Sequence, residues 1–409
     1  MRTNILTLMI LCAFAAGVSG KVKITVNAGS YDREDCIVSA DVSALNPDEK
    51  SDIALFETTG KKKPVVCQLI TEQGQPPRLY WLLDGKTKAG AVRTFYAEKV
   101  KKKVPASIMT VEDNSNALIL KQNGKNILQY NYAVVEPPEG VDKVFRRSGF
   151  IHPAWSPAGN VLTNLSPKDH RHHFGIWNPW TKLEYDGAEY DLWNIGDKKG
   201  TVRARNIEAT YSGDVVAGYI ASLDHCIFAP AGEKVIMNEL WKVKALKSGD
   251  GFLWDFESAL HPSTSLPVLL KEYRYAGFGY RATPEWTKEN CEMFTSEGKT
   301  RQQIDGSTAR WIYITGATKT GRSGLLFLGH PSNYNFPEPL RIWDENANDG
   351  RGDAFINFAP TKNKDWELKA GEDYLLRYRV LAYEGEMTAE KANRLWNDFA
   401  YPPTVVTKK

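Results

Sequence analysis

The sequence predicts an all-β protein: a small N-terminal β-sandwich, then a large domain of two facing many-stranded sheets with a short C-terminal helix. Three observations predict it. Apolar and polar residues alternate in segment after segment, the period-two pattern of half-buried strands. The 32 glycines and 21 prolines fall largely between those segments, as turn punctuation. Helix signals gather at one place only, where Thr388 caps "AEKANRLWNDFA" before Pro402 and Pro403.

Residues 1–20 read as a secretory signal outside the fold. Arg2 gives a positive start, Ile5 to Val18 form an apolar run, and Val18-Ser19-Gly20 offers a small-residue cleavage site. The run is short for a bilayer, and Cys12 sits in mid-run, which argues against a lipid anchor. The mature chain is expected from Lys21, without membrane insertion. Losing the leader removes one basic residue of 52 and leaves 49 acidic ones, so charge gives no case for nucleic acid. It also leaves Cys36, Cys67, Cys226 and Cys291, widely spaced and without a CxxC. They are read mainly as buried free thiols, because a chain of this size needs no bridge for its core.

Residues 21–104 form the expected N-terminal Ig-like β-domain, with "KVKITVNA", "DCIVSADV" and "RLYWLLDG" as strands. The basic stretch "EKVKKKVPAS" marks the boundary. Residues 105–409 carry the large domain. Its strands are "NALILKQ", "TVRARNIEATY", "EKVIMNELWKVKAL", "GFLWDFESAL", "ARWIYITG", "SGLLFLG" and "DYLLRYRVLAY".

Chemistry concentrates in "DHRHHFGIWNPW", Asp169 to Trp180, which holds three of the seven histidines. If this segment is extended, His170 and His172 point one way and Asp169, Arg171 and His173 the other. Two histidines at i and i+2 can share a metal ion. His170 and His172 with His330 are then the expected ligands, and zinc or calcium the divalent ion. Imidazole is equally a general acid or base near neutral pH, which points to His172 or His173 as the proton-transfer group. Metal binding and proton transfer both stay open, beside a polar loop packed on Trp177.

Other segments share this character. "SGFIHPAWSPAGNVLTNLSP" sets His152 and Trp155 on a loop, and "FLGHPSNYNFPEPLRIWD" follows a buried strand with His330 and Asn333. In "GFLWDFESALHP", Phe252, Trp254 and Phe256 share one face and Asp255 and Glu257 the other. Glu257, or Glu272 in "LLKEYRYAGFGYRATPEW", is the candidate partner carboxylate. Arg281 suits a carboxylated or phosphorylated sugar. Many of the twelve tryptophans, Trp155, Trp177 and Trp343 among them, lie in loop-like settings where a flat ring can stack on a sugar or pack the core. "DENANDGRGD" begins like a calcium loop, but its glycine falls at the seventh position and Phe355 at the twelfth.

The blocks "RRSGFIHPAWSPAGNVLTNLSPKDHRHHFGIW", "AGFGYRA" and "GLLFLGHPSNYNFPEPLRIW" resemble an exported bacterial domain of unknown function that carries the label "methane oxygenase PmoA". The resemblance spans most of Ala106 to Tyr383. The label does not fit, because that oxygenase subunit is an integral membrane protein and this mature chain has no span. The family's histidine block falls on His152, His170, His172 and His173, its later block on His330 and Asn333, and its glycine-arginine block on Gly277, Gly279 and Arg281. Arg171 departs from the small residue or proline usual between the histidines. The chain is more weakly similar to galactose-mutarotase-like β-supersandwiches, which implies a histidine acid and a carboxylate base over a concave sheet.

These readings together give an exported protein, periplasmic or extracellular in a bacterium. It would be a glycoside hydrolase or lyase acting on an oligosaccharide or glycoside by His/carboxylate chemistry, with metal assistance open. His172 or His173 would move a proton and Glu257 or Glu272 would be its partner. His152, Trp155, Trp177, Arg281, His330 and Asn333 would bind substrate. The alternatives are a non-catalytic glycan-binding protein of a polysaccharide-utilisation system and a metal-dependent oxidoreductase.

Overall fold

The computed structural model describes residues 20–101, 107–249 and 251–408. All but the last residue of the expected leader, and part of the basic boundary stretch, lie outside the described residues.

Lys21 to Lys101 build a sandwich of five and three strands. Lys21–Asn27, Val92–Lys101, Ser51–Glu57 and Lys63–Val65 lie in one sheet, and Arg33–Asp41, Arg78–Thr87 and Cys67–Ile70 in the other. Alternation does the work: Val22, Ile24 and Val26 point inward to meet Trp81 and Phe95 in one core. The fifth strand of the first sheet is Thr404–Lys408, paired antiparallel to Lys21–Asn27. That strand was expected with the large domain. Its alternation, with Val405 packed on the first sandwich's core, seats it here instead. The four cysteines among the described residues are free, and burial pushes the Cys36 and Cys67 thiols up to about 12.

The rest is mainly two eight-stranded sheets face to face. One runs, in spatial order, through Gly200–Tyr211, Val216–Ala229, Gly232–Leu246, Phe252–Pro262, Tyr374–Glu384, Gly321–Gly329, Trp311–Thr318 and Cys291–Thr295, antiparallel throughout. The other includes Lys125–Asn131, Phe150–Ala154, Ile176–Trp177, Gly279–Arg281 and Phe355–Phe358. Tyr219, Trp241, Trp254 and Phe256 of the first sheet pack on Tyr130, Ile151, Ile176 and Tyr280 of the second. Burying such large apolar side chains stabilises the pair by about 1.5–3 kcal/mol each.

Ala389–Ala400 is the expected C-terminal helix, and the Thr388 hydroxyl accepts from the Lys391 amide as its cap. A single helical turn at Arg301–Ile304, with a Thr300/Gln303 capping box, was not foreseen. No helix among the described residues is long and apolar enough to cross a membrane.

Candidate functional site

The histidine segment is a hairpin loop. Leu165 bridges Phe174, and the Ser166 amide donates to the His173 carbonyl at 2.8 Å. Two successive turns curl the chain between them: His170 N–H bonds the Pro167 carbonyl and His173 N–H bonds the His170 carbonyl. The expected extended segment, with its histidines split between two faces, is therefore corrected. Curling brings all three rings together, with centroids 5.4 Å apart for His170 and His172 and 4.8 Å for each of the other pairs. Gly175 lets the hairpin lie flat across the neighbouring strand. Its φ is +61°, and a Cβ there would meet the Ile151 carbonyl at 2.3 Å.

An aromatic box holds the cluster. His173 lies 5.0 Å from Trp177, 5.4 Å from Trp343 and 5.1 Å from Phe355, and His170 lies 4.5 Å from Trp343. Trp177, Trp180, Trp193, Trp286 and Trp343 are all buried, so their expected role as exposed sugar platforms is corrected to core packing. Trp155 alone of those singled out keeps partial exposure.

The charged part of the site is a chain of three groups. Asp169 Oδ2 accepts from His170 Nδ1 at 2.9 Å and from Arg281 Nη2 at 2.8 Å. Arg281, 1% exposed, also reaches Asp353 Oδ2 at 2.7 Å and stacks on Trp343 at 4.6 Å. Burial pushes the Asp169 carboxyl up, but the His170 hydrogen bond and the Arg281 charge outweigh it. They hold the acid well below the usual carboxylate range. An ionised carboxylate only accepts, so the proton of this hydrogen bond sits on Nδ1 of His170. The His170 side chain is 37% exposed, which makes it the most accessible group of this chain.

His172 and His173 are placed differently from the expectation. Burial, then the charges of His170 and Arg147, lower His172 to about 4; burial takes His173 well below its ordinary value, and its Nδ1 has no partner. Both are neutral at pH 7 and packed among rings.

Neither expected partner carboxylate is here. Glu257 faces the opposite side of its sheet, where it pairs with Arg377 at 3.0 Å and shares a cleft with Arg78 and Tyr80 of the first sandwich. The alternation of Phe252–Pro262 dictates this, because the other face holds Trp254 and Phe256. Glu272 is exposed, and its amide donates to Asp365. Asp169 takes the place foreseen for them. Arg281, expected to hold a substrate anion, is engaged by two carboxylates of its own chain.

The later loop stays apart. His330 bonds Ser332, packs on Phe399, and takes its charge environment from Arg377, Asp255 and Arg379 on the outer face. Asn333 donates to Glu338 and to the Arg377 carbonyl, so it ties a turn to the sheet. The expected ligand set of His170, His172 and His330 is thus not assembled. Among the described residues no group of three or more His, Cys, Asp or Glu is placed to hold a metal ion, zinc or calcium. Around Asp344 to Asp353, Arg301 donates to the carbonyls of Trp343, Asp344, Gly352 and Asp353, the oxygens a cation would have taken. His152 sits nearby under the hairpin, bonded through Nδ1 to Thr163 Oγ1 at 2.8 Å, and burial lowers it to about 4.

One polar network escaped the sequence reading. Between the two large sheets, Glu239 accepts from Asn178 (2.6 Å), Ser258 (2.5 Å) and His225 (2.8 Å), all fully buried. The available signal was a carboxylate at an inward position, between Met237 and Trp241.

Residues 117–397 match the model of a family of unknown function, DUF6807. No curated protein matches the chain. Among solved structures it is similar to a protein in the glycosyl hydrolase family 38 from Enterococcus faecalis, with a TM-score of 0.50 and 8% identity over 96% of this chain and 48% of that one. The chain thus spans about half the length of that protein, and the likeness is one of fold. A polysaccharide lyase (TM-score 0.32, 13% identity, 71% of this chain and 34% of that one) is also similar. So is a galactose mutarotase related enzyme from Lactobacillus acidophilus (0.33, 9%, 68% and 97%).

Proposed function

We propose that this chain, which belongs to the DUF6807 family of unknown function, is an exported carbohydrate-active enzyme, a glycoside hydrolase or lyase, with His170 as its proton-transfer group. The single observation that carries this reading is the Arg281–Asp169–His170 chain, which holds a partly exposed imidazole through its Nδ1.

The roles follow from the geometry. Nε2 takes a proton from a water or from a carbon beside a sugar carboxyl and returns it to the leaving oxygen. Asp169 fixes the tautomer and stabilises the imidazolium that forms, the part a carboxylate plays behind a histidine base. Arg281 keeps Asp169 ionised and in place. Trp155 supplies a partly exposed ring near the same sheet edge. The likeness in fold to a glycosyl hydrolase family protein supports a sugar as the substrate.

The test is an assay of purified protein against plant and algal glycans, reading reducing ends and unsaturated ends. His170→Ala is expected to lower turnover by about 10²–10⁴-fold, the usual worth of a general base, with an unchanged melting temperature. Absence of product from every glycan, with and without zinc or calcium, overturns the reading. Glycan binding without turnover, unaltered by His170→Ala, would identify a binding protein instead.

A further inference from the structure

We infer that the cleft between Lys143–Phe145 and the start of strand Gly200–Tyr211 binds the anionic group, carboxylate or sulfate, of an acidic saccharide unit. This rests on the carbohydrate reading above and names the class of sugar.

The cleft measures about 510 Å³ and is lined by Lys143, Arg146, Arg147, Lys198 and Arg203, against the one carboxylate of Glu233. Glu233 is paired with Arg203, so it neutralises one cation and leaves the others. Lys198 has Asp142 at 3.9 Å, a long and exposed pair. A surplus of surface cations alone would be a solvated face. The second observation is Arg147.

Arg147 is 3% exposed, and its Nε and Nη1 are buried with no hydrogen-bond partner. Burying a guanidinium without partners is strongly unfavourable, and native structures meet this by pairing the charge. The carboxylate whose charge reaches it is Glu239, but both its oxygens are taken by Asn178, Ser258 and His225. The Phe174 ring, 5.3 Å away, is its remaining neighbour of note. Burial lowers its pKa to about 10, still far above neutrality, so the charge is present. A charged, unpaired guanidinium buried at the wall of a cleft already lined by cations adds to a positive field that favours an oxyanion there.

The saccharide part follows from the other walls. Phe228, half-buried, offers a flat ring in the same cleft, next to Ile195. Ring and cations together suit a sugar that bears one acid group. Arg147 also stacks on Phe174, the residue that closes the histidine hairpin.

Calorimetry with galacturonate, galactose 6-sulfate, galactose and inorganic sulfate tests this, on the full chain and on its His170→Ala form. The two acidic sugars are expected to bind both proteins alike, more weakly as salt rises, and galactose not at all. Whichever acidic sugar binds tighter identifies the anionic group. Arg147→Met should weaken binding tenfold or more. Lys143→Gln with Arg146→Gln, both exposed positions, should weaken it several-fold and serves if the first variant does not fold. Binding of galactose as tight as galacturonate, unchanged binding in Arg147→Met, or equal affinity for inorganic sulfate and the sugar sulfate overturns the inference. Because binding is read in the His170→Ala protein, its failure is distinct from failure of the proposed catalysis.

Discussion

Mild acid, between pH 6.5 and pH 5, should destabilise this protein. His152 and His172 are held at about 4 by burial, against 6.5 for an exposed imidazole. Between those values the unfolded chain binds protons that the folded one refuses, so stability is full above pH 6.5 and falls as the pH drops toward 4. Each group contributes about 1.4 kcal/mol per pH unit. Lowering the pH from 6.5 to about 5 therefore removes about 2 kcal/mol for each of the two. His173, lowered by burial, acts in the same direction. Glu338 opposes them. Burial raises it to about 7, so its proton is bound only in the folded state across this window, and acidification returns about 2 kcal/mol. For the groups His152, His172 and Glu338 the net loss is about 2 kcal/mol, an appreciable share of a typical stability of about 5–15 kcal/mol. Urea denaturation followed by tryptophan fluorescence at pH 6.5 and pH 5 measures it, and His172→Gln should recover about 2 kcal/mol of the difference. A midpoint that is equal or higher at pH 5 would refute the claim that these histidines are buried neutral.

Two further predictions test the frame of the site. Arg301→Met strands three buried carbonyls and a part-buried one and should cost about 3–5 kcal/mol, read as a lowered melting temperature with new proteolytic cuts between residues 344 and 353. Deleting residues from Thr404 onward unpairs Lys21–Asn27 and uncovers Val405's place in the first core. The first sandwich should then melt earlier while far-ultraviolet dichroism of the large sheets persists, and an unchanged melt would count against this pairing.

The strands were legible because alternation is a local signal that burial enforces. In Phe252–Pro262 the inward Trp254 and Phe256 and the outward Asp255 and Glu257 fall where the period puts them. The Thr388 cap was legible for the same reason, since its partner is three residues away. The site was legible in residue type and much less in arrangement. Ser166-Pro167 before Lys168-Asp169 is turn chemistry, and it curls the loop that a strand reading had straightened. The partner of Arg281 was out of reach, because Asp353 lies 72 residues along the chain and nothing local marks it. Tryptophans beside glycine and asparagine looked like loop platforms, yet the hairpin folds back over Trp177 and closes it from solvent.

The strand Thr404–Lys408 sets an order of events during synthesis. Thr25 and Val406, 381 residues apart, share one ladder. As an exported chain emerges N-terminus first, the first sandwich keeps an open edge until the segment from Thr404 has followed it. Closing so long a loop adds only slowly growing entropy, but it makes this contact among the last to form. Completion of the N-terminal unit thus reports that the whole domain behind it has been translated and folded.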